Sequence, residues 1–160
     1  MTILQRLLAA AAGIAAVLFV TLTAISTQRT EAHYQAFAPA RETVESFMKV
    51  AFVDRKPEEA VLKYMSPDFV DHDPDIVGTR DSVIERLKKL DWATAQPTSE
   101  VRHIVAEGDL VVVHHSLVRK PGQPPIAAID LFRVKNGLIV EHWDVLQPTP
   151  ENSPNPHPMF

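Results

Sequence analysis

The chain has 160 residues, 46% of them hydrophobic, with a formal net charge of −4 and no cysteine. That length suits one domain with a real core once any targeting segment is set aside. The lack of thiols excludes disulfide frameworks, thiolate metal sites, cysteine nucleophiles and lipoprotein anchors, and an acidic balance without a basic run offers nucleic acid no electrostatic footprint.

Arg6 precedes an apolar stretch over residues 7–20, and the segment that follows is more polar, with Ala24 and Ser26 as small residues near its end. This is the layout of a secretory signal over residues 1–26, cleaved after Ser26. The alternative is a retained membrane anchor, because residues 7–25 would rise roughly 28 Å as a helix, about one bilayer core. Either reading takes the domain out of the cytoplasm, to the periplasm or beyond. Residues 27–38 read as a mixed linker, and residues 39–147 as the folded domain.

Pro39 is expected in a first helical turn. Val44, Phe47, Met48 and Ala51 then form one apolar helical stripe. A second helix starts at Pro57, where Glu58 and Glu59 suit the helix dipole and Ala60, Val61 and Tyr64 share a side. Ser66-Pro67 ends it, and residues 69–72 form a short extended piece. Thr79 can cap a third helix with Val83, Ile84, Leu87 and Leu90 inward. After Pro97, residues 101–106, 110–118, 126–134 and 138–146 are β-rich runs, the last two joined by Asn136-Gly137, a strong hairpin signal. Helices first and an antiparallel meander after them argue for an α+β fold. Residues 148–160 are Pro- and Asn-rich and read as an extended tail. Phe47, Leu87, Val112, Phe132 and Val140 are expected in the core.

Strand side chains alternate faces. Asp130 therefore shares a face with Ile126, Ala128, Phe132 and Val134, and His142 and Asp144 share one with Leu138, Val140 and Leu146. Ionisable groups on apolar faces must find partners or shift their pKa values, and an Asp–His cluster on one inner face supplies both. Such tuning is what general acid–base catalysis needs. The parity of His114-His115 leaves open which of the two faces inward. His72 sits in a carboxylate-dense loop, Asp71-His72-Asp73-Pro74-Asp75, for which a solvated acidic surface is the plainer reading. No compact metal-ligand spacing occurs, and no metal is expected. Trp143 is expected to pack on the face opposite His142.

Three segments resemble a known family. Phe69-Val70-Asp71-His72-Asp73-Pro74 with Gly78 is similar to the hydrophobic-x-His-Asn-Pro…Gly element of SnoaL-like proteins, with Asp73 in place of the usual Asn. Residues 108–114 are similar to their GDxVxVH strand, although Ser116 stands where a second histidine occurs in some members. Residues 130–145 are similar to D-[IL]-F-R-x-x-x-G-x-I-x-E-H-W-D-x, the most specific of the three. The resemblance covers roughly residues 38–160.

It implies a cone-shaped NTF2-like barrel, commonly a homodimer through the sheet, and cofactor-independent aldol-type cyclisation, isomerisation or dehydration of a small apolar carbonyl compound. On that reading Asp130 is the general base, His114 or His142 polarises or reprotonates the oxygen, and Asp144 orients His142. His72, Phe132 and Tyr64 would touch the substrate. A non-catalytic binding or scaffold module of the same fold is the alternative, since a fold alone does not assign chemistry.

Overall fold

A computed structural model describes residues 2–89, 92 and 96–160, with the side chains of residues 4, 6–15, 17 and 30–38 outside the description. The chain divides into two units, Met1–Ala36 and Phe37–Phe160.

In the first unit the backbone is helical from Ile3, within a helix α1 assigned over Ile3–Met48. Residues 27–38, expected as a linker, are helical too, and Pro39 lies inside the helix instead of opening it. The stretch 27–38 holds no Gly or Pro and is rich in Gln, Arg, Glu and Ala, all tolerant of helix. The hydroxyls of Thr21, Thr23, Ser26 and Thr27 donate back to carbonyls three or four residues earlier, so polar side chains are accommodated without breaking the turn. Among the described residues no helix is long and apolar enough to cross a membrane, and most of the apolar stretch 7–20 falls outside the described side chains.

The second unit carries the site. Val44, Phe47, Met48 and Ala51 are buried as their spacing requires, and a π-helical turn over Lys49–Val53 continues from α1. Helix α2 runs Pro57–Tyr64 with Pro57 in its first turn and buries Ala60 and Val61. Strand β1, Met65–Asp71, follows directly. Helix α3, Arg80–Lys89, opens on a reciprocal cap: Ser82 N–H donates to Thr79 Oγ1 at 3.2 Å, and Thr79 N–H donates to Ser82 Oγ at 3.0 Å. Ile84 is buried on its inner side, with Val83 and Leu87 half-buried; Leu90 lies outside the described residues.

Strands β2 (Thr98–Glu107), β3 (Leu110–Val118), β4 (Ile126–Lys135) and β5 (Leu138–Pro148) form the expected antiparallel meander. The Asn136-Gly137 turn has φ of 53° and 76°, the positive pair that a type I′ hairpin needs. β1 adds parallel to β5, giving the order β1-β5-β4-β3-β2. The α+β class and its mostly antiparallel sheet are as expected, and the sheet is not closed: β1 and β2 are its edges.

Two faces differ from the simple alternation. Val111 and Val113, fully buried, face the core in β3, while Val112 is half-buried on the other side. In β5 the pairing steps from Val134↔Ile139 to Arg133↔Glu141, so Val140 is the extra residue of a β-bulge. Ile139 therefore enters the core in place of Val140, and the even positions from His142 onward point inward.

The tail has no helix or strand after Pro148, but it is not free of the sheet: His114 Nε2 lies 3.1 Å from the Met159 carbonyl oxygen.

Candidate acid–base pocket

Register sets the chemistry. One inner row across the sheet reads Val111, Phe132, His142, Asp71; the next reads Val113, Asp130, Asp144; the third reads His115, Ala128, Leu146. Asp130 is therefore diagonal to both His142 and His115, within reach of long or ring side chains. His142 Nε2 is 3.4 Å from Asp130 Oδ1, and His142 Nδ1 is 3.0 Å from Asp71 Oδ1. His115 Nε2 is 2.9 Å from Asp130 Oδ2, short but poorly aligned for a hydrogen bond, and its Nδ1 is 2.7 Å from Ser99 Oγ. A continuous polar chain thus runs Asp71–His142–Asp130–His115–Ser99.

Asp71, His142, Asp130 and His115 line a cavity of about 440 Å³, in the range of small-molecule pockets, whose apolar wall includes Phe47, Met65, Leu87, Leu117 and Phe132. Phe132 meets Phe47 edge-on at 5.9 Å and stacks on the His142 ring at 4.9 Å. Asp144 also lines the cavity, and no described residue hydrogen-bonds its carboxyl.

Burial opposes charge on Asp130, but its close contacts with the His115 and His142 imidazoles outweigh it and lower the pKa from 3.8 to about 2. Burial likewise opposes charge on His142, and the carboxylates of Asp130 and Asp71 overcome it, raising the pKa from 6.5 to about 10. Asp144 goes the other way. Burial raises its pKa, and the charges of Asp73, Asp130 and Asp71 add to this against the attraction of His142. Asp130 is thus an anion and His142 a cation at neutral pH.

A stability profile follows. The depressed Asp130 stabilises the fold above the ordinary carboxyl pKa, and this is lost as pH falls toward 2. The raised His142 stabilises it fully below about 6.5, and this is lost as pH climbs toward about 10. The raised Asp144 has the opposite sign to Asp130 and disfavours the fold as its carboxyl ionises. Between pH 5.5 and 9.5 the melting temperature of wild type should fall further than that of His142→Gln; equal falls would contradict the assigned His142 charge.

Of the residues singled out from sequence, Asp130, His142, Asp144 and Phe132 line this cavity. Three do not. His114 faces the outer side of the sheet, its ring stacked on His103 at 5.5 Å, because the inner face of β3 is the odd one. His72 is exposed on the outer side, stacked on Trp143 at 4.7 Å and 3.1 Å from Glu141 Oε1. Tyr64 packs half-buried against the core at the end of α2, under Lys63. Trp143 is on the outer face as expected, with the Arg133 guanidinium 5.7 Å from its ring centre.

Asp71 was missed, and of the His114-His115 pair, which the sequence left open, His115 is the one that faces the cavity. The signal for His115 was the purity of its face, since Val111, Val113 and Leu117 are all apolar while His114 shares a face with Ser116. The signal for Asp71 was its phase with buried Phe69, two residues earlier on one strand. Gly78 makes the close approach possible: at φ +87° it accepts from Asp71 N–H at 2.9 Å, and a Cβ there would sit 2.8 Å from the Asp71 carbonyl oxygen. Among the described residues no group of three His, Asp or Glu is placed to hold a metal ion.

The same fold occurs in solved proteins of low identity. A candidate ketosteroid isomerase from Kribbella flavida aligns at a TM-score of 0.61 and 15% identity, covering 75% of this chain and 86% of that one. A candidate SnoaL-like polyketide cyclase from Jannaschia sp. aligns at 0.58 and 20%, covering 69% and 87%. IdmH, a candidate polyketide cyclase from Streptomyces antibioticus, aligns at 0.53 and 21%, covering 67% and 91%. No curated protein sequence matches significantly. The family model of the SnoaL-like domain matches residues 44–142, a span running from the buried stripe of α1 to His142. The chain belongs to the SnoaL-like domain family.

Proposed function

We propose that the pocket carries out cofactor-independent acid–base chemistry on a small, largely apolar carbonyl compound, beginning with removal of a proton alpha to the carbonyl. Aldol-type cyclisation, isomerisation and dehydration all start from that step. The observation that carries the reading is a carboxyl, Asp144, with no hydrogen-bond partner among the described residues, beside a charged imidazole, His142, in a largely apolar cavity.

The electrostatics divide the roles differently from the sequence reading. A carboxylate with a pKa of about 2 is a weak proton acceptor, so Asp130 suits the base role poorly. Its role is to keep His142 charged. Asp144, lifted by burial and like charges, is the better base. Asp71 takes the orienting role first given to Asp144, because it holds His142 Nδ1 at 3.0 Å. The Nε2–H of His142 has only a 3.4 Å contact with Asp130, so a substrate oxygen can compete for it as negative charge develops.

Export through residues 1–26, whether cleaved or kept as an anchor, belongs to the same proposal, as does pairing of two copies. Support for pairing comes from exposed Val105, Ile129 and Val145 on the outer sheet face.

The test is α-hydrogen exchange of aryl and cyclic ketones in D₂O, followed by NMR. Protein treated with a chelator should accelerate exchange over buffer as well as untreated protein does. Ketones that bind without exchanging would leave the pocket as that of a binding module.

A further inference from the structure

The two ends of the cavity differ in charge. At the inner end stand the carboxyls and imidazoles already described. Leu117, two residues outward from His115 on the same face of β3, and Arg119, the first residue past the end of that strand, both line the cavity. Four residues of extended chain would put Arg119 up to roughly 13 Å from His115, backbone to backbone. Arg86, also at the cavity, is engaged by Asp73 at 3.5 Å and Asp75 at 4.0 Å. Arg119 has no carboxylate partner among the described residues, and neither does Lys89, the last residue of α3, which lines the same cavity. The wall between the two ends is apolar: Leu87, Pro97, Leu117 and Leu146.

A half-buried guanidinium without a counter-ion has lost part of its hydration with nothing in return, and its planar fork matches a carboxylate. A compound seated between the two ends would bury its middle against the apolar wall. Its carbonyl would meet Asp144 and His142, leaving its far end beside Arg119. We propose that the compound taken by this pocket is an apolar oxo acid, whose anionic group is held by Arg119 while its carbonyl lies at the Asp144–His142 end. The inference rests on the pocket being a site for a carbonyl compound, but it does not require turnover.

The test uses the full chain and two probes, 7-oxo-7-phenylheptanoate and its methyl ester, with affinities from calorimetry. The acid should bind wild type at least about tenfold more tightly than the ester, a difference of about 1.4 kcal/mol. Arg119→Gln should abolish that preference by weakening the acid alone, and Arg119→Lys should restore part of it. Equal affinities in wild type, binding of neither probe, or a preference that survives Arg119→Gln would each overturn the proposal. The wild-type comparison decides even if the variant does not fold. Exchange of the α-hydrogens of the bound acid is read separately. An intact acid preference without exchange contradicts the proposed turnover and leaves the anionic subsite standing.

Discussion

Asp144→Asn should slow α-hydrogen exchange by about 10²- to 10⁴-fold, the usual contribution of a positioned general base. The amide keeps the shape of the side chain, so ketone affinity should change by less than about threefold, and the loss should fall on the rate at saturation. Stability should hold or improve, because the variant removes a half-buried carboxyl that repels Asp73, Asp130 and Asp71. A rate loss with an unchanged melting temperature separates a chemical role from a structural one. Asp130→Asn provides the contrast. It leaves two histidines, His142 and His115, without their shared carboxylate, and should cost stability as well as rate. If Asp144→Asn exchanged as fast as wild type while Asp130→Asn did not, the base would be Asp130, as the sequence alone suggested.

Phe132→Ala should destabilise the fold by about 3–5 kcal/mol, read from denaturant unfolding. Phe132 is only 2% exposed and touches Phe47 on one side and the His142 ring on the other. Its loss therefore opens a void between α1 and the sheet and frees the imidazole to tilt. Activity should fall with stability, since His142 loses the surface that sets its angle. A cost below about 1 kcal/mol would mean that Phe132 does not join sheet to helix.

Much of the scaffold was legible because its signals are local. Helical spacing at Val44, Phe47, Met48 and Ala51, the Pro57 start, the Thr79 cap and the Asn136-Gly137 turn each depend on a few neighbouring residues. Asp130 and His142 were legible by alternation, as charges interrupting apolar faces. What failed was non-local. The bulge at Val140 resets the parity of β5, and only the pairing with β4 reveals it. The parallel pairing of β1 with β5 brings Asp71 to His142 across 71 residues of chain, which no strand pattern encodes. Parity left the His114-His115 pair open and the family motif pointed to His114, whereas His115 is the one that lines the cavity. That residues 27–38, read as a linker, are helical agrees with their containing no helix breaker.

The division of labour between a fixed ion cluster and a titrating carboxyl is tested most directly by the pH dependence of ketone α-hydrogen exchange at saturation. The rate should rise through a carboxyl pKa above the ordinary range, as Asp144 ionises, and fall again near pH 10, as His142 loses its proton. A bound ketone that shows no exchange above buffer at any pH would contradict it. So would a rate already falling near pH 6.5, the behaviour of an ordinary histidine.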